Sequence, residues 1–445
     1  MVVRGRRVVV DGAERPASVL IAGGRITAVR AIDHLPADAE EVVDAGDLVV
    51  SPGLVDSHVH VNEPGRTEWE GFDTATRAAA AGGVTAIVDM PLNSVPATTT
   101  IAALEEKRRA ARGQCHVDVG FWGGVVPANI PDAAGQSAAL ESLADSGVRG
   151  FKCFLVPSGV DEFQPVDEQQ LRRALPVLAR RKLTLLVHAE SPDRISTHAG
   201  RAGSYRDYLV TRPAAAEVDA IRLVARLAGE AGAHVHIVHV SSARGVEAIA
   251  DAQSDGVTIT AETCPHFLTF AAADIPDGAT EFKCAPPIRD DADREALWDG
   301  LRSGTLGLVA SDHSPAPPAM KCAGDFVRAW GGIASLELGL AAVWTEARVR
   351  GFSAVEITRW MSEGPAALAG LNGRKGRIAP GYDADLIMWN PDDEFAVDPP
   401  ALQQRHKLTP YAGNRLRGAV RTTFVRGLRV WDAGSIVRLA AGELL

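Results

Sequence analysis

Gly53-Leu-Val-Asp-Ser-His-Val-His60 is a short apolar run in which Asp56, His58 and His60 alternate. Alternation of this kind writes a β-strand, because side chains change face at every residue and positions two apart point the same way. Both imidazoles therefore converge on one spot. Imidazole is the commonest transition-metal side-chain ligand, so two of them at a strand end ask for a divalent cation. Taken alone, the pair is equally consistent with two solvated histidines on an exposed strand face. The rest of the chain has to decide.

From this run onward, β-type stretches alternate with Ala-rich helical ones. Strands are expected near 54–60, 84–90, 116–122, 149–155, 183–188, 234–240, 257–262 and 306–312, with helices at 71–82, 99–112, 167–181 and 213–232. Pro213 suits a first helical turn and Glu217 its early, anion-favouring part. Two more helices, 333–349 and 353–370, follow the eighth strand. Eight strands alternating with helices predict an α/β fold, a (β/α)8 TIM-type barrel, over 51–374. The ends read differently. Residues 1–50 and 375–445 carry short strand-like pieces with turns at Asp11-Gly12 and Gly23-Gly24, and neither end supports a core alone. They are expected to combine into one small β-sandwich domain beside the barrel.

Composition excludes several classes. With 46% hydrophobic and 23% charged residues, the 445-residue chain can bury a sizeable core, and disorder is not indicated. A net charge of −10 argues against nucleic acid or anionic membrane as partners, since both favour basic patches. The start, MVVRGRRVVV, lacks the apolar stretch of a signal peptide, and no run reaches the roughly 18 apolar residues that cross a bilayer. Five cysteines (115, 153, 264, 284 and 322) without a Cys-x-x-Cys pair suggest neither a disulfide framework nor a zinc ribbon. A cytoplasmic location is the default.

Strand parity sorts the remaining polar residues. In 149–155, Gly150, Lys152 and Phe154 share a face, and a lysine within GFKCFL fits a barrel only if its amine reaches the catalytic, C-terminal rim. His188 and His239 each end a strand. Parity groups His239 with Val235 and Ile237 and assigns His234 and His236 to the helix-facing side as structural residues. In the eighth strand Leu308, Ala310 and Asp312 share the inner face, and His313 points away. The candidate set is His58, His60, Lys152, His188, His239 and Asp312, all at expected carboxyl ends of strands.

The order HxH, Lys, His, His, Asp resembles the binuclear amidohydrolase superfamily, specifically its cyclic amidohydrolases. The resemblance is sharpest to the allantoinases, through PGLVDSHVHVNEPGRTEWEGF (52–72), MPLNSVPAT (90–98), GFKCFLVPSGVDEF (150–163), ETCPHFL (262–268), KCAPPIRD (283–290), ASDHSP (310–315) and HKLTPYAG (406–413). It implies two divalent metals per subunit, with zinc foremost and cobalt, iron or manganese as alternatives. His58, His60 and Asp312 would hold one, and His188 and His239 the other. Lys152 would bridge them as N6-carboxylysine, the carbamate formed with carbon dioxide. It further implies that a metal-bridging hydroxide opens the hydantoin ring of the small molecule allantoin, with Asp312 carrying the proton, and that the protein is a homotetramer.

Substrate contacts are expected at Asn62, Asn93, Ser158, Ala285 and Gly331. Dihydroorotases carry arginine where this chain has Asn62, which suits a substrate without a carboxylate. Hydantoinases and dihydropyrimidinases, the alternative, use a tyrosine soon after the bridging lysine, and here the stretch is Cys-Phe-Leu-Val-Pro-Ser-Gly. Ser158 or a metal is then expected to serve the oxyanion. Cys264 and Cys284 are read as packing residues, and Arg66 and Glu70 as loop-ordering or solvated. A metal-free scaffold homologue is the second alternative, and such proteins are expected to lack one of the six ligands.

Overall fold

Eight short strands form a closed parallel ring in the computed structural model, which describes the chain except for residues 38, 133–137, 197–199 and 439. They are β1 (Leu54–Val59), β2 (Val84–Asp89), β3 (Asp118–Phe121, continued after Trp122 by Gly123–Gly124), β4 (Phe151–Phe154), β5 (Leu185–His188), β6 (Val235–Ile237), β7 (Ile259–Thr263) and β8 (Leu308–Val309). Neighbours pair in parallel in this order. The ring closes between β3 and β4 through Gly123 N–H to Gly150 O at 2.9 Å, and between β8 and β1 through His60 N–H to His313 O at 2.8 Å. Nearly every strand position is buried, which is why the strands read as apolar runs rather than strict alternations.

Two hydrophobic layers result. Val55, Ala86, Val88, Trp122, Phe154, Leu186, Val238, Leu308 and Ala310 fill the barrel interior, joined by Ala366 and Leu368 from the helix Gly364–Leu368. Ile87, Val119, Phe151, Leu185, Val187, Val235, Ile237 and Ile259 point outward against helical residues such as Leu104, Leu171, Ile221 and Trp298. The helices start where the sequence caps them. Asp167 and Gln170 form a capping box for Glu168–Arg181, and Pro213 stands one residue before Ala214–Ala231 rather than inside its first turn.

Two expectations need correction. No helix spans 333–338: the backbone N–H groups of Ser335 and Leu336 are drawn to His313 Nδ1 at 3.1 and 3.2 Å, and the helix begins at Gly339. The expected helix 353–370 is also not continuous, because Arg359–Glu363 takes π-type hydrogen bonding between two short α-segments.

The chain ends build one nine-stranded sheet. Its order is Ser435–Ile436, Leu428–Asp432, Arg415–Val425, Leu386–Ala396, Val49–Pro52, Val2–Val10, Ala13–Ala22, Arg25–Arg30, with Val42–Asp44 beside Val2–Val10. Asp11-Gly12 and Gly23-Gly24 make the two tight hairpin turns with positive φ at both positions, as the sequence indicated. The sheet curls so that Arg25 bridges to Asp383, enclosing Val3, Val19, Ile26, Leu386 and Phe424. It joins the barrel through Thr423 Oγ1–H to Ala80 O at 2.8 Å and a buried ion cluster: Lys375 lies 2.5 Å from Asp118 and 2.6 Å from Asp385. No helix among the described residues is long and apolar enough to cross a membrane.

Candidate metal centre

Strand β1 is not regular where it matters. Its pairing with β2 shifts between Asp56 and Val59, and this irregularity brings His58 and His60 together at the carboxyl rim of the barrel. Asp56, their partner in the alternating run, is used on backbone instead: it accepts from His58 N–H at 3.1 Å and from Ser311 N–H at 3.2 Å, tying β1 to β8. Burial pushes its carboxyl up to about 6. Asp312, in a left-handed conformation (φ 45°), turns back to meet both imidazoles, with Oδ1 3.1 Å from His58 Nε2 and 3.4 Å from His60 Nε2. The ligand atoms of these three residues lie within 4.8 Å of one another.

The other ligand candidates arrive from β4, β5 and β6. Lys152 is buried in the barrel interior with Nζ unpartnered, 5.0 Å from the Phe154 ring centre. Burial lowers its amine to about 8, leaving a fraction neutral and nucleophilic near pH 7. The Phe154 ring also stacks on His188 at 4.6 Å, and His188 Nδ1 faces His239 Nε2 at 3.0 Å.

His239 reaches the site for a different reason than parity. Val235 and Ile237 point outward, so strict alternation would carry His239 toward the helices. Regular pairing stops at Ile237, and a left-handed residue at His239 (φ 42°) swings its ring inward. The same parity error hid His236, expected to face the helices but buried in the barrel interior against Glu262 and Thr260.

Carboxylates fix the histidine tautomers, and the sequence reading missed them. Glu262 on β7 accepts from His58 Nδ1–H at 2.5 Å, which leaves Nε2 as the free lone pair. Glu190 accepts from His188 Nε2–H at 2.7 Å, which leaves Nδ1 free, and it is gripped by Arg212 at 2.6 and 3.0 Å. Burial opposes charge on both acids. Arg212 with His188 holds Glu190 down to about 2, and His58 with His236 does the same for Glu262. An acidic residue inside an apolar strand end (LLVHAE, VTITAE) was the available signal, because a buried carboxylate needs a partner. Behind His60, Lys107 donates to Asp89 at 2.6 Å, and Asp89 accepts from Val61 N–H at 2.8 Å. Glu217 accepts from Ser241 N–H at 2.8 Å, two residues past His239.

This donor set fits a pair of divalent cations. Nε2 of His58 and His60 meet the Asp312 carboxylate, Nδ1 of His188 meets Nε2 of His239, and the buried Lys152 amine has no partner. Carboxylate-backed imidazoles are the usual outer support of such sites.

A cavity of about 690 Å³ opens over these residues. Asn93, Ser158, Ala285 and Gly331 line it, as expected of substrate contacts, whereas Asn62 is absent from its walls. Asn62 is buried with φ 67°, its amide donating to Pro315 O at 3.3 Å, so it shapes the turn after His60. Ser158 donates to Phe163 O at 2.7 Å within its own loop. Arg66 and Glu70 order loops: Arg66 donates to Asn93 O and pairs with Glu162, and Glu70 accepts from Arg405 N–H. Burial raises the thiols of Cys264 and Cys284 far above their ordinary value, so neither is a nucleophile at neutral pH.

Comparison with known proteins agrees with this geometry. The model of the amidohydrolase family matches residues 49–430. The allantoinase of Streptomyces avermitilis is 49% identical, covering 100% of this chain and 98% of that protein. The allantoinase of Saccharomyces cerevisiae is 41% identical, covering 98% and 97%. Among solved structures, the L-hydantoinase (dihydropyrimidinase) of Arthrobacter aurescens superposes with a TM-score of 0.93 at 31% identity, covering 100% and 98% of the two chains.

Proposed function

The chain belongs to the amidohydrolase family, and we infer that it hydrolyses the ring amide of allantoin to give allantoate. Full-length likeness to allantoinases supports this substrate over hydantoins, since the hydantoinase relatives share the fold at lower identity. The observation that carries the hydrolytic reading is that His58, His60, His188, His239 and Asp312 line one cavity, with the buried, unpartnered Lys152 amine on the Phe154 ring that stacks on His188.

His58, His60 and Asp312 would hold one divalent cation and His188 and His239 the second, with Lys152 bridging as its carbamate. When bound, such cations supply Lewis acidity, polarising a carbonyl and lowering the pKa of water from 15.7 toward about 7. Zinc is the proposed metal, the family resemblance supports a homotetramer, and cysteine usage without a Cys-x-x-Cys pair supports a reducing, cytoplasmic location.

The chain's own residues then account for the proton. Burial would raise the Asp312 carboxyl, but His58, the hydrogen bond from His60, and His239 outweigh burial and hold it well below the usual range. As a carboxylate it accepts the proton of the attacking water and returns it to the departing ring nitrogen. The C–N bond breaks, the carbonyl carbon keeps the oxygen, and the product is a carboxylate with a free ureido nitrogen. Asn93, Ser158 and the backbone at Ala285 and Gly331 are assigned to ring and ureido contacts, which their position on the cavity wall supports.

The test is metal dependence on this substrate. Protein stripped by chelation and protein reloaded with zinc and bicarbonate are each incubated with allantoin, and allantoate is measured. Product from the reloaded protein alone is expected. Equal turnover by both would remove the metal-centred reading.

A further inference from the structure

Below the ligand residues, polar side chains continue through the barrel interior. Glu262 accepts from His58 at 2.5 Å and from His236 Nε2–H at 3.1 Å. His236 Nδ1 lies 2.8 Å from Thr260 Oγ1, which lies 2.9 Å from His234 Nε2, and His234 Nδ1 lies 2.8 Å from Thr184 Oγ1. Thr260 is exposed, whereas His236 and Glu262 are fully buried, so the chain of contacts runs from the ligand rim to solvent at the opposite end of the barrel.

Donor counting gives this chain one direction. A carboxylate only accepts, so both His58 and His236 must donate to Glu262. With its ring proton on Nε2, His236 accepts at Nδ1, and the single hydroxyl proton of Thr260 goes there. Thr260 oxygen is left to accept from His234 Nε2–H, and His234 Nδ1 accepts from Thr184. Every proton is assigned without a spare donor or an orphaned acceptor.

We propose that Glu262, held from below by His236 and Thr260, is a positioning residue that fixes the tautomer and tilt of His58 and so sets the affinity of one of the two metal positions. The proposal rests on the two-metal reading above and extends it to residues that touch neither metal nor substrate. Three strands contribute: β1 through His58, β6 through His236, and β7 through Glu262 and Thr260.

Zinc titration of the full-length protein against a chromophoric chelator tests it, reading the two equivalents separately in the wild type, Glu262→Gln, Glu262→Leu, His236→Leu and Thr260→Val. Glutamine can accept from His58 Nδ1–H and donate to His236 Nε2 once the His236 ring proton moves to Nδ1, where Thr260 oxygen accepts it, so it should bind close to wild type. Glu262→Leu and His236→Leu should weaken one equivalent by about 10–100-fold, the usual cost of losing an outer partner of a metal histidine, and leave the other unchanged. Thr260→Val, exposed at the far end, should weaken the same equivalent by a smaller factor, and it serves where the buried variants do not fold. Unchanged titrations in Glu262→Leu or Thr260→Val overturn the proposal. Equal weakening of both equivalents also overturns it, in favour of a general structural role. A wild type that binds no zinc would instead overturn the metal-centred reading itself.

Discussion

Lys107→Met isolates one buried charge behind the site. Lys107 and Asp89 are both essentially without solvent contact, and the ammonium donates to Asp89 Oδ2 at 2.6 Å and Met90 O at 2.9 Å. Methionine keeps most of the stem volume and removes the charge, leaving Asp89 with only Val61 N–H. Breaking a buried pair from one side costs about 3–5 kcal/mol, because the remaining charge has no partner. Burial already holds the Asp89 carboxyl above its ordinary value despite Lys107, and without the lysine it rises further.

The pH dependence has a definite sign. A carboxyl whose folded pKa exceeds its unfolded value costs stability above the unfolded value, so the loss grows with pH until the folded value is passed. Within that window the loss changes by about 1.4 kcal/mol per pH unit. Urea unfolding followed by tryptophan fluorescence at pH 8 and pH 5.5 measures it. The full loss is expected at pH 8 and a smaller one at pH 5.5, and Lys107→Met with Asp89→Asn should recover much of it. A loss under about 1 kcal/mol, a loss independent of pH, or a double variant no better than the single would show that the Lys107–Asp89 pair does not stabilise the fold as a buried ion pair.

Three further outcomes follow from the geometry. Asp312→Asn should lower kcat for allantoin by about 10²–10⁴, the usual worth of a general acid–base group, with metal still detected by elemental analysis. Ser158→Ala should cost less than tenfold in kcat/KM, because its hydroxyl is already donated to Phe163 O; a lost oxyanion donor would cost about 10²–10³. Asn62→Gly should leave KM for allantoin unchanged, since Asn62 is outside the cavity and glycine accepts φ 67°, while the lost amide bond lowers stability by about 1 kcal/mol in thermal unfolding.

The barrel was legible because buried parallel strands must be apolar on both faces, and each such run in the sequence has its strand within a few residues. What failed was strict alternation at strand ends. Asp56 and His239 both depart from it, one through the irregular pairing of β1 and the other through a left-handed residue, and neither departure has a local sequence signal. His236 was misassigned for the same reason. The loop at 333–338 looked helical because the competitor for its backbone hydrogen bonds, His313, lies 22 and 23 residues before the two donors. Sheet order in the small domain was likewise out of reach, since Val49–Pro52 sits between strands from opposite chain ends. The six ligand candidates meet at the carboxyl rim of the barrel, and the carboxylates behind them were passed over although they stood in plain apolar context.

Specificity for allantoin separates this reading from that of a general cyclic-ureide hydrolase. The most direct measurement is kcat/KM of the metal-loaded protein for allantoin beside hydantoin, dihydrouracil and dihydroorotate, read as ring-opened product. Allantoin is predicted to exceed each of the others by orders of magnitude. Equal or greater efficiency on hydantoin or dihydrouracil would contradict the substrate assignment while leaving the barrel and its ligand set intact.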